Sequence, residues 1–364
     1  MGKLHDLHGK GQSVWLDFIR RDMLVSGELD TMVADGIRGL TSNPTIFQKA
    51  IGGSDAYDDA IRSALATNPD LGPLAVYEML AVSDIQDAAD ALRPVYDEST
   101  AADGYVSLEV SPLLSADTDG TITEAHRLWN LVDRPNLMIK VPATPEGIPA
   151  IEELIAAGIN VNATLMFSMA DYEAVAQAYV RGISRTANPQ RVASVASFFV
   201  SRVDTSVDAG LEKNGSPDAL AHRGRAAVAN AKLAYARYLE IFEGSGFAAQ
   251  KERGARPQRV LWASTGVKNP SYPDVLYVEP LIGFNTVNTM PPATIDAFLD
   301  HGDPDNGALT IDVDAAHADI AALADLDVDL DAITTQLQSD GVKSFADSFD
   351  DLMATVAEKI SELS

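Results

Sequence analysis

The sequence predicts a (β/α)₈ barrel with extra helices, and three observations support this fold class. Short apolar runs rich in β-branched residues alternate with longer segments whose apolar residues recur every three or four positions. The runs are continuously apolar, which is typical of parallel strands covered by helices on both faces. A doubly wound open sheet is the competing architecture, but no strand is followed by the G-x-G-x-x-G turn that such sheets usually carry.

The predicted elements follow one another as strands and helices up to about residue 290. Helices are predicted at 75–97, 171–184 and 219–243, where the apolar spacing is helical. The connection 205–258 is longer than barrel connections usually are, which predicts a helical excursion with a flexible polar end at 244–258. The predicted strands are SVWLDFI (13–19), GIRGLT (36–41), YVSLEV (105–110), NLMIKV (136–141), INVNATLMF (159–167), VASVASFFVSRV (192–203), RVLWAS (259–264) and FNTVNTM (284–290).

No repeat or linker divides the chain, so we expect one domain over residues 1–364. The barrel core should cover about 13–300, with a C-terminal helical tail at about 301–364 packed on it. A hydrophobic content of 46% is that of an ordinary soluble globular protein. Because the chain has no run near the roughly 18 apolar residues of a membrane span and no signal peptide, we expect a cytoplasmic protein without a membrane partner.

Charge and cysteine content exclude several kinds of function. With 27 Lys and Arg against 53 Asp and Glu, the net charge is −26, which repels nucleic acid and anionic lipid. We therefore expect no nucleic-acid partner. The absence of cysteine excludes disulfides, thiol nucleophiles, iron–sulfur clusters and thiolate zinc sites. A phosphorylated substrate would require a locally positive pocket, so each Lys or Arg within an apolar run is informative.

Four ionisable residues lie near the ends of the apolar runs, where a parallel barrel places its catalytic groups. They are Asp17, Glu109, Lys140 and Arg202. An unpaired buried charge is strongly unfavourable or becomes neutralised. We therefore expect these side chains to cluster and compensate one another.

Lys140, in the segment LMIKVPAT, is the candidate nucleophile. A lysine that is taken out of water gives up its charge more easily, and the free amine condenses with a ketone carbonyl. The alternative is a strand-end lysine whose stem covers the core while its ammonium reaches water. Spacing alone favours this alternative.

Asp17 and Glu109 are acids in apolar runs, which suits groups that accept and return protons. Alternatively, both are structural carboxylates that cap helices or pair with Arg202. Arg202 has the fork of donors that clamps a phosphate, or it forms an ion pair with Asp204 or another acid. The residues alone leave these alternatives open.

Other polar residues at strand ends are placed to bind substrate hydroxyls and a catalytic water. The segment Asn43-Pro44-Thr45 is equally typical of a cap between a strand and a helix. The polar candidates are Asn43, Asn162, Thr164, Ser197 and Ser264.

No metal site is predicted. The six histidines form neither H-E-x-x-H nor its inverted motif. The spaced acids at 325–331 resemble the start of a calcium loop, but Leu330 and Gln336 occupy the positions where that loop requires Gly and Glu. This segment is therefore interpreted as a solvated loop and a helix start.

Longer segments spread over nearly the whole chain form a far more specific pattern than any single spacing. They are GLTSNPTIF (39–47), VSLEVSP (106–112), MIKVPAT (138–144), GINVNATLMFS (158–168), SFFVSRVD (197–204), WASTGVKNPSYPD (262–274) and TVNTMPP (286–292). Together they resemble the transaldolases of the pentose phosphate pathway, in their longer bacterial form. The resemblance implies a barrel enzyme without cofactor or metal that acts on sugar phosphates through a lysine Schiff base.

The resemblance also implies roles for individual residues. Lys140 looks like the lysine that attacks C2 of the donor ketose. Asp17 resembles the base that takes the C4 hydroxyl proton as the C3–C4 bond breaks, and Glu109 resembles the acid/base that acts through a water held by Thr164. Asn43, Asn162 and Ser197 correspond to residues that hold the dihydroxyacetone unit. Arg202 and Ser264 correspond to residues that contact the phosphate.

The implied reaction is the reversible transfer of a dihydroxyacetone unit. The donor is sedoheptulose 7-phosphate or fructose 6-phosphate, and the acceptor is glyceraldehyde 3-phosphate or erythrose 4-phosphate. One position departs from shorter members of the family, which place a second phosphate-binding arginine where this chain has Gly266. We expect Lys268 to substitute for it.

Two other functions are considered. The related fructose 6-phosphate aldolases release free dihydroxyacetone, have shorter chains, and tend to carry Gln at the position of Glu109 and Tyr at that of Phe199. Both residues therefore favour transfer, and Phe199 is a predicted substrate contact. An inactive barrel kept as a scaffold would have lost Lys140 or its acids, and all of them are present. The family is commonly monomeric or dimeric, so we expect a monomer or homodimer.

Overall fold

The computed structural model describes residues 2–364 and shows a closed barrel of eight parallel strands. The strands follow one another around the barrel in chain order, and the last pairs with the first. Because each strand overlaps one predicted apolar run, the predicted barrel is confirmed. The strands are β1 (Gln12–Leu16), β2 (Ile37–Thr41), β3 (Tyr105–Glu109), β4 (Leu137–Pro142), β5 (Val161–Met166), β6 (Ser194–Phe199), β7 (Arg259–Ala263) and β8 (Thr286–Met290).

The register of the strands sets the positions of the candidate residues. Strands β4, β5 and β6 are buried along their whole length, as expected for strands covered on both faces. Lys140 of β4 lies opposite Glu109 of β3 on one side and Asn162 of β5 on the other. Since parallel strands all end at the same edge of the barrel, the residues near their C-terminal ends share one mouth.

Helices surround the barrel on its outer face. The predicted helical stretches correspond to α6 with α7, to α10, and to α12 with α13. No helix within residues 2–364 combines the length and apolarity needed to span a bilayer. The helices are α1 (Lys3–Gly9), α2 (Arg21–Ser26), α3 (Glu28–Asp35), α4 (Pro44–Gly52), α5 (Asp58–Thr67), α6 (Pro73–Ala91), α7 (Arg93–Glu98), α8 (Thr118–Val132), α9 (Gly147–Ala156), α10 (Met169–Arg185), α11 (Ser201–Asn214), α12 (Pro217–Ala221), α13 (Ala226–Phe242), α14 (Ala248–Glu252), α15 (Pro292–His301), α16 (Val313–Asp325) and α17 (Leu330–Leu363).

Arg202 lies in a helix and not in the predicted strand run 192–203. Strand β6 ends at Phe199 and α11 begins at Ser201, so Arg202 is in the first turn of α11. The apolar run continues past the strand because Val203 begins the buried face of the helix. Only two polar residues, Ser201 and Arg202, separate Val200 from Val203, and so short an interruption does not mark the boundary.

The connection 205–258 is helical, as predicted, but the expectation of a flexible end at 244–258 is wrong, because this part is packed on the barrel. Phe247 is fully buried, and its ring centroid lies 5.1 Å from that of Phe242. Nη2 of Arg253 donates a 2.7 Å hydrogen bond to the main-chain oxygen of Thr186. The excursion therefore belongs to the packed structure around the barrel.

The tail forms α15, α16 and α17, and the last of these lies against the mouth of the barrel. Helix α17 is 34 residues long and contacts α4, α5, α6, α11 and β5. Its buried face includes Phe345, Phe349, Leu352 and Val356, which recur at helical spacing. A helix that touches elements on opposite sides of the mouth covers part of it, so the tail contributes side chains to the site.

Candidate active site

The mouth of the barrel gathers the predicted site residues around one cavity of about 360 Å³. Two further candidates lie behind its wall: Glu109 is 3.5 Å from Lys140, and Asn162 is hydrogen-bonded to Ser197. The structure therefore brings the predicted residues together. Those that line the cavity are Asp17, Asn43, Lys140, Thr164, Ser197, Phe199, Arg202, Ser264 and Lys268.

The amine of Lys140 faces this cavity and is buried. The residue is 5% exposed, and Nζ donates a 3.3 Å hydrogen bond to the main-chain oxygen of Ser42. Nζ also lies 3.5 Å from Oε2 of Glu109 and 5.5 Å from the ring centroid of Phe345. The alternative in which the ammonium reaches water is therefore wrong. The amine has a carboxyl group on one side and an aromatic ring on another.

Glu109, the last residue of β3, is a buried acid with an incomplete set of hydrogen bonds. Burial raises the pKa of its carboxyl group to about 7, and the ammonium of Lys140 opposes that rise. Oε2 of Glu109 and Oγ1 of Thr164 are buried oxygens without a hydrogen-bond partner among residues 2–364. Since buried polar atoms are nearly always paired, each of these two oxygens is available to a polar ligand.

Asp17 follows β1 directly, and a threonine holds its carboxyl group. Oγ1 of Thr41 donates a 2.7 Å hydrogen bond to Oδ1 of Asp17 and also lies 2.7 Å from Oγ1 of Thr289. Burial raises the pKa of Asp17, while the Lys140 ammonium and the Thr41 hydrogen bond oppose the rise. Asp17 and Glu109, two acids with raised pKa values, thus lie within electrostatic reach of one amine, which is typical of a site for proton transfer.

Asn43 and Asn162 lie at different depths, one in the wall of the cavity and the other behind it. Asn43 lines the cavity and caps α4: its Oδ1 accepts a 3.0 Å hydrogen bond from the N–H of Ile46. The predicted cap is therefore confirmed. Asn162 is fully buried, where Nδ2 donates a 3.0 Å bond to Ser107 and Oδ1 accepts a 2.7 Å bond from Ser197. These bonds hold the Asn162 amide in one orientation.

The guanidinium of Arg202 points to the cavity and not to Asp204. Its Cζ lies 5.4 Å from the ring centroid of Phe199, and burial lowers the pKa of the group. Asp204 instead accepts a 2.7 Å bond from the N–H of Ala227 and a 2.9 Å bond from the hydroxyl of Tyr277. The alternative ion pair between Arg202 and Asp204 is therefore wrong.

Ser264 and Lys268 extend this cationic side of the cavity. Ser264 follows β7 with a φ of 55°, a backbone region that residues with side chains rarely adopt. Its Oγ lies 3.0 Å from Oγ of Ser201. Lys268 lines the cavity and is exposed, and Gly266, which lies between Ser264 and Lys268 in the sequence, carries no charge. The cationic side therefore consists of a part-buried arginine, Arg202, and an exposed lysine.

The sequence pattern did not identify several residues that line the cavity, among them Thr41, Lys49 and Phe345. Thr41 ends the run GIRGLT, so its position at a strand end is a signal that could have identified it. Lys49 follows Thr45 by one turn of α4, which is visible only once the direction of that helix is known. For Phe345 the helical pattern of the tail predicts burial but does not say against which surface.

A larger cavity of about 500 Å³ borders Glu109 from the side of α6, α8 and α17. Its wall includes Leu74, Tyr77, Leu113 and Phe349 and is mostly apolar, which suits a sugar phosphate poorly. In the part of the chain that the structure describes, no group of three or more His, Asp or Glu side chains is arranged to hold a metal ion. The cationic cavity is therefore the candidate active site.

Comparison with known proteins identifies relatives over nearly the whole chain. Residues 14–356 match the family model described as transaldolase/fructose-6-phosphate aldolase. A transaldolase of Thiobacillus denitrificans is 52% identical over 96% of this chain and 98% of its own. Transaldolases of Frankia alni and Thermobifida fusca are 47% and 46% identical, each over 98% of this chain and over 97% and 98% of their own. The match thus covers all eight strands except the first two residues of β1.

Proposed function

The chain belongs to the transaldolase/fructose-6-phosphate aldolase family, and from this premise we propose that it transfers a dihydroxyacetone unit between sugar phosphates through an imine of Lys140. Full-length relatives are named transaldolase, so the chain is an enzyme of the transferase class. The observation that carries the proposal is the buried Lys140 amine, which faces a cationic cavity beside the acids Glu109 and Asp17.

The proposed donor is sedoheptulose 7-phosphate or fructose 6-phosphate. The acceptor is glyceraldehyde 3-phosphate or erythrose 4-phosphate, as in the pentose phosphate pathway. The reaction uses no cofactor or metal, because the imine nitrogen itself takes up the electron pair. A cytoplasmic location and a monomeric or dimeric state stay predictions from the sequence.

Imine formation is the first step of the proposed mechanism. The amine of Lys140 attacks C2 of the ketose, and Glu109 protonates the resulting carbinolamine hydroxyl, which leaves as water. A pKa of about 7 supports this role, since both forms of the carboxyl group are present at neutral pH. The unpaired buried oxygens of Glu109 and Thr164 support a water that relays the proton between them.

Cleavage of the C3–C4 bond is the second step. Asp17 takes the proton of the C4 hydroxyl, the electron pair of the C3–C4 bond moves to the imine nitrogen, and an aldose phosphate leaves. Burial favours the protonated form of Asp17, which supports uptake of this proton. The Thr41 hydrogen bond orients the carboxyl group toward one face of the cavity. The remaining three-carbon enamine on Lys140 then adds to an acceptor by the reverse steps.

The cationic side of the cavity is the proposed phosphate site. Arg202 supplies a planar fork of donors, and its partial burial strengthens charge-assisted bonds. Ser264 adds a hydroxyl. Lys268 adds a positive charge and would substitute for the arginine that shorter relatives have at the position of Gly266. The dihydroxyacetone unit would be held by Asn43 and by the hydrogen-bonded pair Asn162 and Ser197.

Adduct trapping tests the proposal. The protein is incubated with fructose 6-phosphate, reduced with borohydride, digested and analysed by mass spectrometry. We expect a dihydroxyacetone-sized adduct on the peptide that contains Lys140, and we expect erythrose 4-phosphate to remove it before reduction. Lys140→Met, which has a side chain of similar length, is the matched control and should carry no adduct.

Three results would contradict the proposal in different ways. Activity without an adduct on Lys140 would exclude the imine mechanism. Steady release of free dihydroxyacetone, unchanged by the acceptor, would identify a fructose 6-phosphate aldolase. A folded protein without activity on any of the four sugar phosphates would point to a scaffold.

A further inference from the structure

Helix α17 is fixed across the mouth of the barrel by bonds at several points along its length. Nε2 of Gln338 donates a 3.1 Å bond to the main-chain oxygen of Ala143, after β4, and a 3.2 Å bond to that of Leu165, in β5. Leu165 has a φ of 61°, a strained conformation for leucine. Its side chain also lies against Gly341 of the helix. The helix therefore stabilises the strand that carries Thr164.

The second half of α17 is bound to α4 and to the segment that follows it. Oγ1 of Thr45 donates a 2.8 Å bond to Oγ of Ser348. Further along, Nζ of Lys359 donates a 2.8 Å bond to the main-chain oxygen of Ser54 and a 2.6 Å bond to Asp58. Because α4 follows β2, which is three strands from β5 around the barrel, the helix between these contacts is held in a fixed position over the cavity.

Phe345 lies in the fixed part of the helix, one turn before Ser348. It is 6% exposed and lines the cavity that contains Lys140. Its ring centroid is 5.5 Å from Nζ of Lys140, within the range in which an aromatic face attracts a cation. The aromatic ring is thus the surface that the tail presents to the reacting nitrogen.

We propose that Phe345 is a further active-site residue, which keeps the three-carbon unit on the enzyme by stabilising the cationic imine of Lys140 and excluding water from it. This inference rests on the function proposed above. It explains why the three-carbon unit is transferred to an acceptor instead of being released as free dihydroxyacetone. It assigns the tail a direct part in the chemistry.

Charge at the imine nitrogen explains why an aromatic ring matters. Condensation of the Lys140 ammonium with the ketone gives a cationic imine and releases one water, and the positive charge stays on the nitrogen. When the C3–C4 bond breaks, its electron pair neutralises this nitrogen, and the C4 hydroxyl proton passes to Asp17. Loss of free dihydroxyacetone requires return of a proton to C3 and attack of water on C2. A ring face near the nitrogen stabilises its cationic forms and occupies space that this water would need.

Substitutions in α17 separate this role from simple packing. Phe345→Leu keeps an apolar side chain but removes the aromatic face, whereas Phe345→Tyr keeps the face. Phe349→Leu is the matched control, since Phe349 lies one turn further on the same helix, is 7% exposed, and packs on Tyr77 at 6.1 Å between ring centroids. The two leucine variants should lose similar stability in urea unfolding.

The measurement is the rate of dihydroxyacetone release from fructose 6-phosphate, divided by the rate of transfer to erythrose 4-phosphate. We expect Phe345→Leu to raise this ratio about fivefold, the size of a modest cation–π contribution. The trapped adduct on Lys140 should decrease in parallel. Phe345→Tyr should restore both values, and Phe349→Leu should match the unmodified enzyme.

Each outcome is decisive. If Phe345→Leu leaves the ratio unchanged while the unmodified enzyme still forms the Lys140 adduct, the role of Phe345 is wrong and the proposed function stands. If Phe349→Leu raises the ratio equally, the effect comes from the helix as a whole and the inference also fails. If the unmodified enzyme forms no adduct, the proposed function fails and this inference with it.

Discussion

The two ends of the barrel both bury charged side chains but treat them differently. At the bottom, where the strands begin, Asp103 is almost fully buried and both of its oxygens are bonded. The hydroxyl of Ser13 donates to Oδ2, Nε1 of Trp15 donates a 2.8 Å bond to Oδ1, and Arg259 lies 3.6 Å away. At the mouth, Oε2 of Glu109 has no hydrogen-bond partner within residues 2–364.

The cations show the same contrast. Nη2 of Arg259 donates 2.6 Å bonds to Ser13 and to the main-chain oxygen of Thr286, although its Nε lacks a partner in the described chain. Lys140 at the mouth has one long hydrogen bond, to Ser42. A buried polar group that is left under-bonded weakens the fold, so its retention indicates a use other than stability. The bottom is built for stability and the mouth for binding.

Replacing Lys140 tests most directly whether the mouth and the bottom of the barrel serve different purposes. We expect Lys140→Met to lower activity about 10⁴-fold or more, because the variant has no nucleophile. Its free energy of unfolding should stay the same or rise, since the substitution removes a poorly bonded buried charge. Steady-state assays and urea unfolding measure the two effects. Arg259→Met at the bottom should do the reverse, with lost stability and retained activity per folded molecule. A large loss of stability in Lys140→Met would contradict the contrast.

Glu109→Gln tests the acid at the mouth. We expect the rate of imine formation to fall about 10²- to 10³-fold. Borohydride trapping at successive times measures this rate. In the unmodified enzyme the rate should fall as pH rises above about 7, because the carboxyl group then loses the proton that it donates. That decrease should be absent in Glu109→Gln. Asp204→Asn is the control, because Asp204 is another buried acid whose pKa is raised, to about 6. In this variant the rate of imine formation should still fall as pH rises above about 7.

The same acid should make stability depend on pH. Because the pKa of Glu109 is higher in the folded protein than in the unfolded chain, the bound proton stabilises the fold fully below about pH 4.5, and this contribution is lost as pH rises through about 7. Urea unfolding at pH 5 and pH 8 should therefore show a difference of roughly 3 kcal/mol or less that Glu109→Gln removes. An equal pH dependence in both proteins would assign it to other groups.

Asp103→Asn tests the bottom of the barrel. We expect a loss of about 2 to 4 kcal/mol in the free energy of unfolding, since the change leaves Arg259 without its carboxylate and replaces one acceptor by a donor. Activity per folded molecule should be kept. Asp97→Asn is the control, because Asp97 pairs with Arg93 on the surface and should lose at most about 0.5 kcal/mol. A selective loss of activity in Asp103→Asn would show that the bottom influences the site.

Lys268→Ala should have the smallest effect. An exposed lysine at a phosphate contributes on the order of 1 kcal/mol, so we expect KM for fructose 6-phosphate to rise about fivefold with kcat unchanged. With unphosphorylated fructose the variant and the unmodified enzyme should be equal, which serves as the control. A similar loss with both sugars would mean that Lys268 acts on something other than the phosphate.

Part of the site was predictable from local sequence. Parallel strands end at one edge, so polar residues that end apolar runs must meet there, which is why Asp17 and Lys140 could be identified without a structure. Arg202 was identified as a candidate but assigned to the wrong element, because only Ser201 and Arg202 itself separate the apolar residues that end at Val200 from the apolar face of α11. Its side chain reaches the cavity in either case, since the loop after a strand and the first turn of the next helix share that edge.

The burial of Lys140 and the incomplete bonding of Glu109 were not predictable. A strand-end lysine is usually able to reach water, whereas the buried Lys140 amine lies close to the ring of Phe345, which comes from the distant tail helix. The complete bonding of Asp103 likewise depends on Trp15 and Arg259, which come from distant strands. These are distances between side chains, and no periodicity encodes them.

Local sequence was sufficient to predict the barrel, the order of its strands and the identity of most groups at its mouth. Apolar periodicity states which residues are buried, and chain order sets the neighbours in a parallel barrel. The surface that the tail helix covers and the buried groups that remain unpaired are visible only in the folded protein. The physical reason is that burial is a property of one residue and its near neighbours, whereas pairing depends on atoms that the fold brings together from distant parts of the chain.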